Sequence, residues 1–339
     1  MIRKLFLPTI FIILAYGFWV SPDFKQIAAG VSILLFGMLA LEDGFKAFTG
    51  GVLEKLLRKT TNKLWKSICF GVVSTTVMQS SAVVSIITIS FLSAGLISLT
   101  AGVGIIFGAN LGTTTGAWLV AGLGLKINIA AYAMPLLVFG VILVFQKGRH
   151  LKGYGYILSG LGAQFLGIHH MKEGFESFKD SFDLAAYAVS GYPGILLFAL
   201  IGVVATVVMQ SSHATLVLIL TALSAQQISY ENALALAIGA NIGTTITAII
   251  GSLSANVDGR RLAGAHLIFN VVTAAVAIAF IYQISGAVDT ISSWIGIAHD
   301  NYTLKLAVFH SIFNTLGIVI MLPMIDPMVR FLERLIKPR

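Results

Sequence analysis

Long apolar runs separated by short polar segments dominate this chain. Several of them approach or reach the roughly 20 apolar residues that a helix needs to cross a bilayer. Apolar residues are continuous within these runs and do not alternate at every second position, which favours helices over a β-barrel. The pattern therefore predicts an all-α polytopic membrane protein. The clearest runs are Leu5–Val20, Ile27–Leu41, Ile129–Phe145, Ile195–Met209, Ala263–Ile284 and Leu304–Met324.

The composition supports a membrane location. Hydrophobic residues make up 57% of the 339 residues and charged residues only 11%, and the mean hydropathy is +0.92, too apolar for a soluble globule. The net charge of +8 is explained by Lys and Arg retained on the cytoplasmic side, not by nucleic-acid binding. Cys69 is the only cysteine, which excludes an internal disulfide and a thiolate metal cluster.

Two polar motifs each occur twice in the same register. Val77–Ser81 recurs as Val208–Ser212, and Gly108–Thr114 recurs as Gly239–Thr245, both 131 residues downstream. Upstream, Gly30, Gly37 and Gly44 match Gly160, Gly167 and Gly174 with an offset of 130. We therefore predict repeat unit 1 at residues 25–146 and repeat unit 2 at 153–284 within a single membrane transport domain. Outside them lie an uncleaved first transmembrane helix (1–24) and a last one (302–325).

Charge predicts how the two units are oriented. Residues 42–66 contain six Lys or Arg against three acidic residues, whereas the matching segment 172–183 contains four acidic residues against two Lys. Because Lys- and Arg-rich loops stay on the cytoplasmic side, the units should have inverted topology, with both termini cytoplasmic. The mixed segments Phe45–Leu64 and Phe175–Ala188 are predicted to be interfacial helices, although plain connecting loops are an alternative.

The repeated motifs interrupt helices. Gln79-Ser80-Ser81 divides an apolar run that is too long for one straight span, so each unit is predicted to contain a re-entrant helical hairpin whose turn presents backbone amides to an anion. The glycines flanking Asn110 predict a broken transmembrane helix that unwinds and exposes carbonyls. Hydroxyl, amide and carbonyl oxygens suit Na⁺. Since neither motif contains Lys or Arg, a bound anion would need accompanying cations, which favours coupled transport.

With these paired motifs the chain resembles the type II Na⁺/phosphate cotransporter family. The resemblance implies sodium-driven uptake of inorganic phosphate by alternating access, with no cofactor beyond Na⁺ as coupling ion, in the bacterial cytoplasmic (inner) membrane and in a homodimer.

His213 departs from the small hydroxyl residue common at this position; it would donate to phosphate, confer pH dependence or bond a neighbouring carbonyl. The implied substrate-binding residues are Gln79, Ser80, Ser81, Gln210, Ser211, Ser212 and His213, and the implied sodium-binding residues are Asn110, Thr113, Thr114, Thr115, Asn241, Thr244 and Thr245.

The sequence is also compatible with other functions. A sodium-coupled carrier of a carboxylate or sulfate, or an ion channel, would use the same architecture. An intramembrane hydrolase would use Ser81 or Ser212 with a histidine, but it lacks an orienting acid, and no P-loop is present, so we do not expect an enzyme. His266 with Asn270, and His310 with Asn314, are four residues apart and are predicted to hydrogen-bond between helices; a zinc site is disfavoured because no carboxylate accompanies them.

Overall fold

The computed structural model describes residues 2–49, 57, 61–125, 129–181 and 189–338. Within these ranges every regular element is helical. The α-helices are α1 (Ile2–Val20), α2 (Pro22–Thr49), α3 (Leu64–Met78), α4 (Ser81–Ser93), α5 (Leu99–Gly112), α6 (Thr114–Leu119), α7 (Ile129–Val144), α8 (Arg149–Ser181), α9 (Gly191–Met209), α10 (Ser212–Ser224), α11 (Tyr230–Gly243), α12 (Thr245–Ser252), α13 (Val257–Ala279), α14 (Ile281–Trp294), α15 (Tyr302–Met321) and α16 (Ile325–Leu335).

Six helical stretches of the described chain are long and apolar enough to cross a membrane, which confirms the predicted all-α membrane protein. The described apolar part of α1, Pro8–Val20, is shorter than these six. The apolar helices α3, α4 and α10 are also shorter than these six stretches. The six stretches are Pro22–Phe48, Leu99–Leu123, Gly191–Met209, Tyr230–Ser252, Val257–Ala279 and Tyr302–Leu335.

Helices α2 and α8 pack against each other along a seam of glycines. A Cβ added to Gly30 would lie 2.7 Å from the carbonyl oxygen of Gly167, and one added to Gly37 would lie 2.7 Å from that of Gly160. Because the contact positions rise along α2 as they fall along α8, the two helices run antiparallel. These are the glycines that the sequence repeat matches, so the equivalent helices of the two units contact each other through the same side chain-free surface.

The glycine seam also explains why the predicted interfacial helices do not begin where we expected. The segment that starts at Phe45 is the end of α2, and the segment that starts at Phe175 is the end of α8. Both helices continue because their packing continues: a Cβ on Gly44 would lie 2.7 Å from the backbone nitrogen of Ile157. The rest of these two segments falls largely on residues 50–56, 58–60 and 182–188, which lie outside the described residues.

Two apolar cores divide the remaining helices. One contains buried side chains of α10, α11 and α15, including Leu220, Ile238 and Phe313. The other contains those of α4, α5 and α13, including Phe107 and Phe269, whose ring centroids are 4.3 Å apart. The two cores are not separated by repeat unit, because Ala117 of the first unit lies in the first core and Ala248 of the second unit lies in the other.

Candidate functional site

Both Gln-Ser-Ser motifs form the same tight turn between two helices. Gln79 ends α3 with φ 52° and ψ 24°, and Gln210 ends α9 with φ 52° and ψ 25°, a left-handed conformation that is uncommon outside glycine. The next residue then caps the following helix. The Ser80 hydroxyl accepts a hydrogen bond from the Val83 amide at 3.3 Å, and the Ser211 hydroxyl accepts one from the Ala214 amide at 3.1 Å.

The two turns meet at one cavity of about 490 Å³. All seven residues with an implied substrate role line it, so the fold brings together side chains 131 positions apart in the sequence. By helix geometry, the first amides of α4 and α10 have no acceptor within their own helices. The turns therefore supply amides and hydroxyls from two directions. The lining residues of the two turns are Gln79, Ser80, Ser81, Gln210, Ser211, Ser212 and His213.

The charge of this cavity is unusual for an anion site. Among the described residues that line it, Glu42 is the only ionisable one apart from His213. The Glu42 carboxylate is 2.5 Å from the Lys46 ammonium, which does not line the cavity. Dipoles and hydroxyls, without a Lys or Arg, would therefore have to hold an anion here, together with any bound cations.

Helices α2 and α8 contribute lining residues that the sequence motifs did not indicate. Met38 lines the cavity and its sulfur lies 3.9 Å from the Ser211 hydroxyl. Gln164 lines it from α8, is 8% exposed, and has no hydrogen-bond partner for its amide nitrogen among the described residues. One sequence signal pointed to Gln164: its counterpart in the first unit is Leu34, so a polar residue replaces an apolar one in a glycine-rich helix.

The broken helices differ from the prediction. Gly108 and Asn110 lie inside α5, and the interruption comes later, at Thr113, which retains helical angles of φ −62° and ψ −23°. A Cβ on Gly108 would collide with the backbone carbonyl of Ile68 in α3. The motif glycines thus permit close helix packing and do not unwind the helix. The second unit repeats this arrangement, with its break at Thr244.

Threonine hydroxyls donate hydrogen bonds to the backbone carbonyls near each break. Thr113, Thr114 and Thr115 donate to the carbonyl oxygens three residues earlier at 2.6, 2.8 and 2.8 Å. Thr245 and Thr247 do the same at 2.8 Å in the second unit. The exposed carbonyls that we predicted as sodium ligands are therefore occupied by local hydrogen bonds in this structure.

The residues with an implied sodium role do not form one cluster. Thr244 lines the cavity, and its hydroxyl accepts a hydrogen bond from Ser212 at 3.3 Å. Thr115 is next to the cavity, where it accepts a hydrogen bond from the Gln79 amide nitrogen at 3.1 Å. Asn110 is buried and donates to the Ile106 carbonyl of its own helix at 3.0 Å. Asn241 is held in a separate network. Their binding roles stay predictions.

That network confirms the expected helix-to-helix role of His310 and Asn314. Asn241 donates to the Asn314 side-chain oxygen at 2.9 Å, and its own oxygen lies 3.2 Å from the His310 ring. The matching pair on α13 behaves differently. Asn270 donates to the His266 carbonyl at 3.2 Å, whereas both ring nitrogens of His266 are buried without a hydrogen-bond partner among the described residues.

Known proteins with similar sequences bear on these observations. "Uncharacterized protein YqeW" of Bacillus subtilis is 28% identical over 310 residues, covering 90% of this chain and 96% of that protein. "Putative inorganic phosphate export protein YjbB" of Escherichia coli K12 is 27% identical over 315 residues, covering 92% of this chain. The match spans only 55% of the Escherichia coli protein's length. No solved structure matches this chain.

A family model described as Na⁺/Pi-cotransporter matches residues 33–173 and 195–321. These two ranges contain both Gln-Ser-Ser turns, both broken helices, and the parts of α2 and α8 that line the cavity. The family model therefore covers most of the chain and the entire candidate site. The chain belongs to the Na⁺/Pi-cotransporter family.

Proposed function

We propose that the protein is a sodium-coupled carrier of inorganic phosphate that works by alternating access. The observation that carries this proposal is the shared cavity, where two anion-suited turns face each other without a Lys or Arg side chain. Phosphate would receive hydrogen bonds from the hydroxyls of Ser81 and Ser212 and from the free amides of α4 and α10. Because burying an uncompensated anion costs several kcal/mol, bound Na⁺ would both neutralise it and couple its movement to the sodium gradient.

The energy available from Na⁺ is sufficient for accumulation. Each tenfold concentration ratio supplies about 1.4 kcal/mol, so two Na⁺ ions that each move down a tenfold ratio supply about 2.8 kcal/mol and support roughly hundredfold accumulation of phosphate. We expect one ion near Ser212 and Thr244, whose hydroxyl oxygens are 3.3 Å apart beside the cavity. The Asn241 oxygen would become a ligand only after release from His310.

Inverted repeats would provide the two access states. The antiparallel packing of α2 and α8, which are equivalent segments of units 25–146 and 153–284, supports an inverted arrangement. Two units of opposite orientation around a central site open to opposite sides of the membrane when they exchange conformations. We place the protein in the bacterial inner membrane with cytoplasmic termini, as the charge distribution indicates, and expect a homodimer.

The direction of transport has two candidates. Uptake is our first proposal because an inward Na⁺ gradient would drive phosphate inward. Export is the second, because the printed name of the Escherichia coli relative describes inorganic phosphate export. A coupled carrier follows the combined gradients of its substrates, so the same site serves both directions.

An enzymatic role is disfavoured by the contacts of the candidate nucleophile. The Ser212 hydroxyl donates to Thr244, and in the described part of the chain no serine is hydrogen-bonded to a histidine. Hydrolysis would need such a nucleophile–base pair.

Transport by purified protein in proteoliposomes tests the proposal. We expect radiolabelled phosphate to accumulate under an inward Na⁺ gradient, to remain at background when K⁺ replaces Na⁺, and to leave loaded vesicles when the Na⁺ gradient is reversed. Excess unlabelled sulfate or succinate should not compete. Sodium-independent flux would refute coupling, and accumulation of succinate or sulfate in place of phosphate would refute the substrate.

A further inference from the structure

A second cavity, of about 480 Å³, lies between the end of α2 and the beginning of α8. Gly153 forms part of its wall and permits close contact between the helices, since a Cβ there would lie 2.7 Å from the Phe48 ring and 2.9 Å from the Ala47 Cβ. The lining is strongly basic. It comprises Asp43, Lys46, Ala47, Lys147, Arg149, Lys152, Gly153 and Tyr156.

Within the described part of the chain, three of the four cations in this cavity have no acidic partner. Lys46 is paired with Glu42 and with Asp43, the latter at 3.3 Å. Among the described residues, no carboxylate lies within 4.0 Å of Lys147, Arg149 or Lys152. Adjacent like charges around one cavity repel each other, so an anion would stabilise the arrangement.

The cavity is not part of the duplicated transport site. The residue that corresponds to Lys46 in the second unit is Glu176, so the basic character is confined to one copy. None of its lining residues lines the cavity of the Gln-Ser-Ser turns. Its ligand is therefore a separate question from the transported substrate.

An exposed apolar stripe leads to this basic cavity. Val138 and Ile142 lie on one face of α7 and are 57% and 54% exposed, and Phe145, directly after α7, is 81% exposed. This stripe ends two residues before Lys147. In a bilayer, such side chains face acyl chains, while Lys and Arg at the ends of helices lie at the level of the lipid headgroups. A phospholipid complements this surface, because its apolar acyl chains are joined to an anionic headgroup.

We propose that the basic cavity binds the phosphate headgroup of an anionic phospholipid, whose acyl chains lie along the apolar stripe of α7. Arg149 supplies a planar donor group that matches phosphate, Lys147 and Lys152 add charge, and the Tyr156 hydroxyl adds a neutral donor. Basic pockets between membrane helices bind anionic headgroups in this way. The site depends on the chain lying in a membrane and does not depend on the identity of the transported ion.

Native mass spectrometry of the purified full chain tests the site. Protein in detergent is titrated with phosphatidylglycerol or phosphatidylcholine, and the fraction that retains lipid is measured. The variant Lys147→Gln/Arg149→Gln/Lys152→Gln should bind phosphatidylglycerol about a hundredfold more weakly. The control Arg330→Gln/Arg334→Gln/Lys337→Gln removes the same charge from exposed positions on and after α16 and should change binding less than about twofold. The conservative variant Lys147→Arg/Lys152→Arg should retain binding and shows that substitution at these positions is tolerated.

Three outcomes would overturn the proposal. Equal losses in the two charge-removing variants would indicate general surface attraction without a site. Equal affinity for phosphatidylcholine would show that the anionic headgroup is not recognised. Displacement of phosphatidylglycerol by millimolar inorganic phosphate would assign the cavity to a soluble anion. Transport activity is not the readout, so failure here leaves the proposed carrier function intact.

Discussion

Replacing Ser81 by alanine is the sharpest perturbation of the proposed phosphate site. Ser81 is the first residue of α4, is 6% exposed and lines the shared cavity. A hydrogen bond from its hydroxyl to a charged phosphate is worth about 1.5–3 kcal/mol. Ser81→Ala should therefore raise the KM for phosphate in proteoliposomes by about 10- to 150-fold, because the anion would lose that donor.

Ser85→Ala is the matched control. Ser85 is one turn further along α4, is 1% exposed, and its hydroxyl has no hydrogen-bond partner among the described residues. It does not line the cavity, so the KM should change less than about twofold and the folded protein should lose no stability. Two results would refute the reasoning: an unchanged KM in Ser81→Ala, or an equal increase in both variants with unchanged melting temperatures.

Three further substitutions test the packing that supports the site, each by thermal unfolding in detergent. Gly239→Ala should destabilise by about 1–3 kcal/mol because its Cβ would collide with the backbone of α9, whereas Gly286→Ala, with open space around it, should not destabilise. Asn314→Leu should cost about 1–3 kcal/mol because the Asn241 amide would lose its acceptor. Asp289→Asn should cost about 1–3 kcal/mol because the buried Lys305 ammonium, 2.7 Å from the half-exposed Asp289 carboxylate, would lose its charged partner.

The results that would contradict these expectations are specific. Equal melting temperatures for the two glycine variants would mean that the motif glycines do not mediate packing. An unaffected Asn314→Leu protein would mean that the hydrogen bonds around His310 do not stabilise the fold. If adding Lys305→Met to Asp289→Asn recovers none of the lost stability, the cost does not come from an unpaired buried charge.

The helices could be predicted because their causes are local. Apolar runs long enough for a bilayer predict the spans of α9, α13 and α15, and the polar interruption at Gln79 predicts the turn between α3 and α4. The Gln-Ser-Ser turn has the same backbone angles in both copies because both copies have the same residues. A repeated local sequence repeats its local structure.

The glycines of the second motif show where sequence reasoning was insufficient. Glycine suits both unwinding and close packing, and the sequence around Gly108 does not distinguish them. The helix packed against Gly108 distinguishes the two roles, because the Ile68 carbonyl of α3 occupies the space where a side chain would lie. The same applies to the His266 and His310 pairs, which share a pattern of residues but differ in whether an asparagine from another helix reaches them.

The sequence by itself determined the helical membrane fold and the duplication, because both depend on residue order and short-range hydrogen bonding. The seven residues of the proposed substrate site follow from the family resemblance that the repeated motifs carry. Only the tertiary structure decided that both turns face one cavity, and that Met38 and Gln164 complete its lining. It also placed the basic cavity between α2 and α8. These features depend on which helices approach closely, and that is determined by side-chain shape across contacts between residues far apart in the chain.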